Sequence, residues 1–519
     1  MLQSLEVESL KNQIRDSFRI RENHDPIYVD LGGNLQRFAS AQHQILFGRR
    51  GSGKSCLQVH FLRQAESDGE YLAIYVGIDE IKKLGFPDVL IRILLTIFKR
   101  LPQAKGKWFG LFGNQQSRTI KELSRLLDEP DDADVSRKDK EKSAQRAKMG
   151  ATSAVATHIE ASAEHESEVT KTFKSKKLDH LERHLQDYKE ALSASMKGKW
   201  GRVYILVDDF YLIKRDLQPR VIDYLHRLCR GTDAYLKVGT IRHRTSLRIH
   251  EGQTIGVEIG QDVEEISLDK TFENFEDTNT YLHAMLGEMA ASVDRNVSAS
   301  DLFNGDATRA ITLASGGVPR DFLNILVGAI DMSVRDGRAD RLTPTYIYKA
   351  AAMHSYKSKL ANIQEEAGYD AQALEQVFVD LITFCLKEKR KTAFLVGHED
   401  SRSHPEQQEL LLQLLDFKLI HVISQNTSAA SGRQGRFVAY TLDFSIFMEP
   451  RRRGIEIVEF WRVDDQRRPV GVREAPDYPL ERAARAALSR GAVMPAAEDV
   501  VESLERDENA GNPATPPVS

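Results

Sequence analysis

Cysteine is scarce in this sequence. The 519 residues include three, Cys56, Cys229 and Cys385, and none belongs to a CxxC pair. This argues against both a disulfide framework and a zinc site. Long hydrophobic runs are missing too: no stretch of about eighteen apolar residues occurs, so no segment is predicted to cross a membrane. The first residues lack the apolar core of a signal peptide, so we expect a cytoplasmic protein.

An excess of positive charge is also missing. Lysine and arginine number 72 against 76 aspartates and glutamates, which gives a formal net charge of −4. Nucleic-acid-binding domains usually carry a basic surface, so any DNA contact here must come from local basic patches. The length is enough for roughly three domains of ordinary size.

Strand and helix patterns alternate in the first half of the chain. Residues 42–47 form a short β-type run, a glycine-rich turn follows, and residues 55–64 are predicted to form a helix. Such alternation is typical of an α/β fold with a parallel sheet. The further predicted strands are residues 71–77, 203–207, 235–240 and 257–268.

The turn after the first strand matches GxxxxGK[ST] at every fixed position. Glycines let the backbone curl around phosphates, Lys54 is placed to reach the β- and γ-phosphates, and the Ser55 hydroxyl is placed to bind Mg²⁺. A glycine turn without a ligand is the alternative. The predicted ATP contacts are Gly48, Arg49, Arg50, Gly51, Ser52, Gly53, Lys54, Ser55 and Cys56.

Two adjacent carboxylates, Asp208 and Asp209, follow the apolar strand at residues 203–207. Two carboxylates at the end of a buried strand are costly without a cation. We therefore expect Asp208 to serve as a Mg²⁺ ligand together with Ser55, and Asp209 to orient or deprotonate the attacking water. The alternative is a pair that caps the next helix.

Other polar residues are candidates for sensing the γ-phosphate. Thr240 and Arg242 end the strand at residues 235–240, and Arg320 opens a later helix. The alternative for Thr240 and Arg242 is a surface strand end without a ligand, and the alternative for Arg320 is a solvated arginine at the start of a helix. The candidates for an arginine finger supplied to a neighbouring subunit are Arg227, Arg230, Arg244 and Arg248.

The order of these motifs over residues 26–448 resembles the origin-recognition and initiator branch of the AAA+ ATPases, and the related STAND signalling ATPases. The resemblance implies that Arg320 is a lid arginine and that Arg242 contacts the γ-phosphate. Asp209 stands where most hydrolytic AAA+ proteins have glutamate, which implies slow turnover. The predicted fold is α/β, a P-loop NTPase core with a parallel sheet, followed by an all-helical lid and a C-terminal winged-helix domain.

The predicted boundaries are an N-terminal helix at 1–25, an ATPase core at 26–270 with an insertion at about 103–176, a helical lid at 271–360, a winged helix at 370–450 and a largely flexible tail at 463–519. In the winged helix, residues 405–417 occupy the position that reads DNA. They carry Glu406, Glu409 and Asp416, which duplex DNA would repel.

Three functional hypotheses remain open. The first is an ATP-controlled switch that self-assembles or recruits an effector protein, and the resemblance suggests a bacterial anti-phage defence setting. The second is a DNA-bound initiator or loader that uses its winged helix and the basic, aromatic residues 105–112 of the insertion. The third is a scaffold that binds nucleotide without turnover. ATP and Mg²⁺ are the expected ligands, a homo-oligomer is expected, DNA is a possible partner, and no membrane contact is expected.

Overall fold

The fold is described from a computed structural model of the chain. The described residues are 2–20, 22, 26–30, 32–102, 110–128, 176–196, 200–294, 298–338, 340–367, 371–430, 432, 434–448, 454–465 and 468–488. The predictions made for residues 105–109 and for most of the insertion lie outside these ranges. Among the described residues, no helix is long and apolar enough to cross a membrane.

The first part of the chain, up to residue 267, forms an α/β unit. Its strands are β1 (Gln44–Phe47), β2 (Leu72–Gly77), β3 (Val203–Asp208), β4 (Ala234–Thr240), β5 (Arg248–Glu251), β6 (Gln253–Gly256) and β7 (Glu264–Ser267). Its helices are α1 (Leu5–Ser17), α2 (Asn34–Phe38), α3 (Lys54–Asp68), α4 (Asp88–Arg100), α5 (Gly110–Asp128), α6 (Leu185–Met196) and α7 (Gln218–Cys229).

Five strands form a parallel sheet in the order β2-β3-β4-β1-β7. All six residues of β3 are buried, as expected for a parallel strand covered on both faces. Because the strands are parallel, Phe47, Asp208 and Thr240 all lie at one edge of the sheet. The predicted strand at residues 257–268 is shorter in the structure, where only β7 forms and pairs with β1. The two strands before it, β5 and β6, form a separate hairpin.

The predicted insertion begins with a helix that belongs to the core. Leu123 and Leu126 of α5 are buried with Leu94 of α4 and Leu181 in one hydrophobic cluster. The side chain of Gln116 donates two hydrogen bonds of 2.9 Å to the carbonyls of Phe98 and Leu101, which fixes α5 on the end of α4. The structure therefore differs from the predicted start of the insertion at about residue 103.

A helical part follows the sheet. It contains α8 (Phe275–Val293), α9 (Ala307–Ala314), α10 (Pro319–Arg335), α11 (Pro344–Ala350) and α12 (Lys357–Glu366). The N-terminal helix α1 packs here, because Leu10 and Ile14 share a cluster with Leu286 of α8 and Leu326 of α10. The N-terminal helix is thereby held against the helical part that follows the sheet.

The C-terminal part contains α13 (Ala371–Ile382), β8 (Ala393–Gly397), α14 (His398–Ser403), α15 (Pro405–Asp416), β9 (Ile420–Thr427), β10 (Phe437–Leu442) and α16 (Leu480–Leu488). Its three strands form an antiparallel sheet in the order β8-β10-β9. Residues 468–488 lie within the segment predicted as a largely flexible tail, and Val472, Tyr478 and Leu480 are buried in the core of this part.

Candidate functional site

The turn after β1 has the backbone geometry of a phosphate-binding loop. Gly48 donates its backbone N–H to the carbonyl of Thr240 over 3.1 Å, which ties the loop to β4. Gly51 and Gly53 have φ values of 91° and 102°, in the left-handed region that favours glycine. Helix α3 begins at Lys54, so its N-terminal amides face the loop.

Two side chains in the loop fit a bound phosphate. Lys54 is buried and donates from Nζ to the carbonyls of Gly48 at 2.7 Å and Arg49 at 3.2 Å. Burial lowers the pKa of its ammonium group, and the carboxylates of Asp209 and Asp208 oppose this effect. The Ser52 hydroxyl is buried without a partner among the described residues. An orphaned buried donor beside a buried lysine suits an anionic ligand.

The two carboxylates at the end of β3 have different surroundings. Asp208 is buried and accepts hydrogen bonds from the Tyr75 hydroxyl at 2.8 Å and from Gln58 at 3.3 Å. Asp209 is partly exposed and has a left-handed φ of 54°. Burial and the neighbouring Asp208 raise the pKa of Asp209 to about 6. The positive charges of Lys54 and Arg50 oppose this shift. Asp208 is thus held rigidly, while Asp209 lines open space.

A single cavity of about 1700 Å³ joins most of the predicted site residues. Those that line it are Arg50, Gly51, Gly53, Lys54, Ser55, Cys56, Asp208, Asp209, Arg244 and Arg320. The loop and both carboxylates therefore face the same space. Ser55 and Asp208 could hold a divalent cation there, because both offer oxygen ligands.

Arg320 meets the phosphate-binding loop from the helical part. Its backbone N–H donates to the carbonyl of Gly51 over 3.3 Å. A Cβ atom at Gly51 would lie 2.8 Å from Cβ of Arg320, so this close approach requires glycine. The contact fixes the start of α10 against the loop and lets the Arg320 side chain line the cavity.

Arg49 is buried and connects the loop to three other parts of the chain. Its Nε donates to Asp269 at 3.2 Å, and Nη2 donates to the carbonyls of Lys270 at 2.8 Å and Gly316 at 3.3 Å. Its Nη1 lies 3.2 Å from Nδ1 of His421 in β9. Arg49 therefore points away from the cavity and holds the loop to the C-terminal part.

Glu366, the last residue of α12, brings a carboxylate to the cavity. It forms ion pairs with Arg50 of the loop and with Arg244, and the Arg244 pair is 2.5 Å long. The Arg244 guanidinium also lies over the Tyr211 ring at 4.6 Å and over the Phe417 ring at 5.4 Å. The Glu366 carboxylate is thus paired with two guanidinium groups that line the same cavity as the phosphate-binding loop.

The predicted γ-phosphate sensors Thr240 and Arg242 do not line the cavity, and neither do Gly48, Arg49 and Ser52 of the predicted ATP contacts. The Thr240 hydroxyl is buried and hydrogen-bonded to that of Thr245 at 2.6 Å. The Arg242 guanidinium pairs with Glu265 of β7 and lies 4.2 Å from the centre of the Phe47 ring. Neither side chain therefore reaches the cavity that Lys54 lines.

The remaining arginine-finger candidates differ in their surroundings. Arg227 forms ion pairs with Glu182 at 2.7 Å and Asp223 at 2.8 Å. Arg248 lies 3.5 Å from Glu258, and Arg230 follows the end of α7. None of these three lines the cavity, whereas Arg244 does.

Several residues at the site carry no recognisable motif. Tyr75 and Gln58 hold Asp208, Asp269 holds Arg49, and Glu366 pairs with Arg50. Each lies between 133 and 316 residues away in sequence from the residue that it holds. No local pattern could have identified them, because only the fold brings them together.

No protein-family model matches the sequence, and no curated protein is detectably similar to it. Several solved structures are similar to most of the chain. Cdc6 of Pyrobaculum aerophilum is 13% identical, with 82% of this chain and 93% of that chain covered and a TM-score of 0.34. Orc1 of Aeropyrum pernix, solved in complex with DNA, is 13% identical, with coverages of 84% and 88% and a TM-score of 0.31.

The third similar structure is a Walker-type ATPase of Pyrococcus abyssi, 11% identical, with coverages of 84% and 93% and a TM-score of 0.36. The first two carry names from the initiator family that the motifs resemble. At identities and TM-scores this low, the likeness carries no argument about activity, partners or residue roles. The assignments below rest on the geometry of this chain.

Proposed function

We propose that this protein is an ATP-binding and ATP-hydrolysing switch, in which bound nucleotide changes the contacts between the phosphate-binding loop and the C-terminal part. The observation that carries the proposal is the shared cavity, where the loop, both carboxylates of β3 and Arg320 face one another. The cation expected with ATP is Mg²⁺, which neutralises phosphate charge when it is bound. Ser55 and Asp208 are the residues that would hold it.

Each cavity residue has a role that its position supports. The amides of the loop and the Lys54 ammonium bind phosphate oxygens. Asp209 orients the attacking water and accepts its proton, since its carboxylate lines the cavity beside the more buried Asp208. Arg320 stabilises the charge on the transferred phosphoryl group from the opposite side.

Competition between carboxylate and phosphate supports the switch. Glu366 neutralises Arg50 and Arg244 at the cavity. A γ-phosphate carries more negative charge than a carboxylate and would compete for both guanidinium groups. Release of Glu366 frees the end of α12, which immediately precedes the C-terminal part. The released surface would serve self-assembly or recruitment of an effector protein, and a bacterial anti-phage defence system is the setting we propose.

Turnover and mass measured together test this proposal. The purified full chain is incubated with ATP and Mg²⁺ beside Lys54→Ala and Asp209→Asn, with Lys83→Ala as a control on an exposed lysine outside the cavity. We expect Lys54→Ala to abolish ATP binding, Asp209→Asn to bind ATP without turnover, and ATP to increase the mass seen by light scattering. Equal ATP binding by Lys54→Ala and Lys83→Ala would refute the proposal.

A DNA-dependent initiator is the second candidate, and one observation weighs against it in this arrangement. Helix α15 packs on the ATPase part, because Glu409 pairs with Arg215 at 2.9 Å and Asp416 accepts the His243 N–H at 3.0 Å. The same turnover assay with duplex and single-stranded DNA separates the candidates. A several-fold increase in turnover with DNA would favour the initiator, whereas unchanged turnover would favour the switch.

A further inference from the structure

Two histidines and a glutamate form a cluster outside the ATP site. Glu122 of α5, His180 and His184 each offer one donor atom, and these three atoms lie within 4.8 Å of one another. Oε1 of Glu122 contacts Nε2 of His180 and lies 3.8 Å from Nε2 of His184. All three side chains are partly exposed, so a solvated cation could reach them.

The spacing between the donor atoms of Glu122 and His184 suits a metal ion, whereas Glu122 and His180 are in direct contact and would separate when a cation enters. Two bonds of about 2.0–2.1 Å at a tetrahedral angle place their donor atoms roughly 3.4 Å apart. The 3.8 Å separation between Glu122 and His184 is close to this value. The ring centroids of His180 and His184 are 4.3 Å apart, so the two imidazoles lie side by side next to Glu122.

A nearby carboxylate orients one of the imidazoles. Nδ1 of His184 lies 2.8 Å from Oδ2 of Asp187. Since a carboxylate only accepts, Nδ1 carries the proton and Nε2 presents its lone pair toward Glu122. A histidine whose second nitrogen donates to a carboxylate is the usual support for a metal ligand.

The elements that carry the ligands are held rigidly. Next to His180, Leu181 is buried, and its carbonyl accepts the Tyr224 hydroxyl at 2.7 Å. Next to Glu122, Leu123 is fully buried in the same core cluster. The ligand positions are therefore fixed by packing before a cation arrives, which reduces the entropy lost on binding.

A buried hydroxyl lies beside the cluster. The Tyr188 ring centroid is 6.4 Å from that of His184, and its hydroxyl has no hydrogen-bond partner among the described residues. Burial, together with the carboxylates of Glu122 and Asp187, raises the pKa of this hydroxyl. The phenol is therefore neutral at pH 7 and adds no charge near the three ligands.

We infer that Glu122, His180 and His184 bind one divalent transition-metal cation of the Zn²⁺ class, with water as the fourth ligand. Two imidazoles and one carboxylate favour such a cation over Mg²⁺ or Ca²⁺, which prefer oxygen ligands. The bound cation would join α5 to residues 176–184. Residues 129–175 lie between these two segments in sequence.

The test is a Zn²⁺ titration of the full chain after treatment with a chelator, in excess Mg²⁺ so that the ATP site does not compete. We expect one Zn²⁺ per chain, an affinity at least about 100-fold lower for His184→Ala and Glu122→Gln, and a loss of about 10- to 100-fold for Asp187→Asn. The control is His250→Ala, a histidine of β5 outside the cluster, which should bind Zn²⁺ like the wild type.

Spectra with Co²⁺ in place of Zn²⁺ check the ligands, because nitrogen and oxygen ligation gives visible bands without a thiolate charge-transfer band. Circular dichroism verifies that each variant is folded. If His184→Ala does not fold, the Zn²⁺ affinity of Asp187→Asn tests the inference instead, because the exposed Asp187 carboxylate is not part of the core. The inference is overturned if the wild type binds no Zn²⁺, if the cluster variants bind it as tightly as the wild type, or if binding disappears in Ser55→Ala but persists in His184→Ala.

Discussion

Arg49 donates from Nη1 to Nδ1 of His421 over 3.2 Å, and this hydrogen bond joins the phosphate-binding loop to a strand 372 residues further along the chain. Because a guanidinium group only donates, Nδ1 of His421 must accept, and its Nε2–H donates to Asp443 at 2.7 Å. Lys359 donates to the same carboxylate oxygen at 2.7 Å. Burial lowers the pKa of His421 to about 4, so the imidazole is neutral at pH 7.

Gly316 is required at this junction. Its φ is 62°, and an added Cβ would lie 2.1 Å from Cε1 of His421, a ring that Arg49 and Asp443 hold in place. We expect Gly316→Ala to lower the free energy of unfolding by about 1–3 kcal/mol more than backbone strain alone. Urea denaturation measures the loss.

Gly337→Ala is the matched control for Gly316→Ala. Its φ is 72°, and an added Cβ would meet nothing within 4 Å, so it reports backbone strain of about 1 kcal/mol only. In a His421→Ala background, the difference between the two glycine variants should disappear. If the difference persists without the imidazole ring, the clash with His421 is not its cause.

The buried charge of Arg49 is the subject of a second prediction. Replacing it by methionine removes the guanidinium donor from Asp269, His421 and two carbonyls, while Asp269 keeps its bond to the backbone N–H of residue 49. We expect Arg49→Met to lower the free energy of unfolding by on the order of 3 kcal/mol. Arg335→Met, an exposed arginine at the end of α10, should change it by less than about 0.5 kcal/mol. Equal stability of the two variants would contradict a structural role for Arg49.

The carboxyl group of Asp416 predicts a pH dependence. Burial and then Asp269 raise its pKa to about 7, while the N–H of His243 and the cations of Arg49 and Arg244 oppose the shift. The unfolded value is about 3.9, so the folded protein binds more protons between about pH 4 and pH 7. The stabilisation that comes from protonated Asp416 is therefore lost as the pH rises through that window.

Asp416→Asn removes the titration and keeps an oxygen for the His243 N–H. We expect this variant to match the wild type at pH 4 and to be more stable by on the order of 2 kcal/mol at pH 8. Thermal denaturation at several pH values measures the difference. Asp465→Asn, at an exposed position, should show no such trend. A stability difference that is independent of pH would contradict the raised pKa.

The Tyr75 hydroxyl gives a fourth prediction. It donates to Asp208 at 2.8 Å and so orients an expected metal ligand. Tyr75→Phe should lower the affinity for Mg²⁺ in ATP turnover by about tenfold, as loss of a ligand's supporting hydrogen bond does. Titration of turnover with Mg²⁺ at saturating ATP checks this. Tyr71→Phe, just before the same strand but outside the cavity, should leave the Mg²⁺ dependence unchanged.

Sequence patterns predicted the elements that depend on local chemistry. The strands around the glycine turn, the buried strand before Asp208 and the helix that opens at Pro319 are found close to their predicted positions. Within the predicted tail, the burial of Tyr478 depends on contacts with Phe394 and Asp380, which no local pattern shows. The division into domains and the name winged helix stay predictions.

The sequence by itself determined the phosphate-binding loop, because its glycine spacing, its lysine and the start of α3 lie within eight consecutive residues. It also determined the acidic strand end at Asp208 and Asp209. Only the tertiary structure decided the partners of Arg49 and Arg50, the exclusion of Arg242 from the cavity and the meeting of Glu122 with two histidines. Backbone geometry is encoded over a few residues, whereas ion pairs between distant segments depend on how the packed elements bring them together.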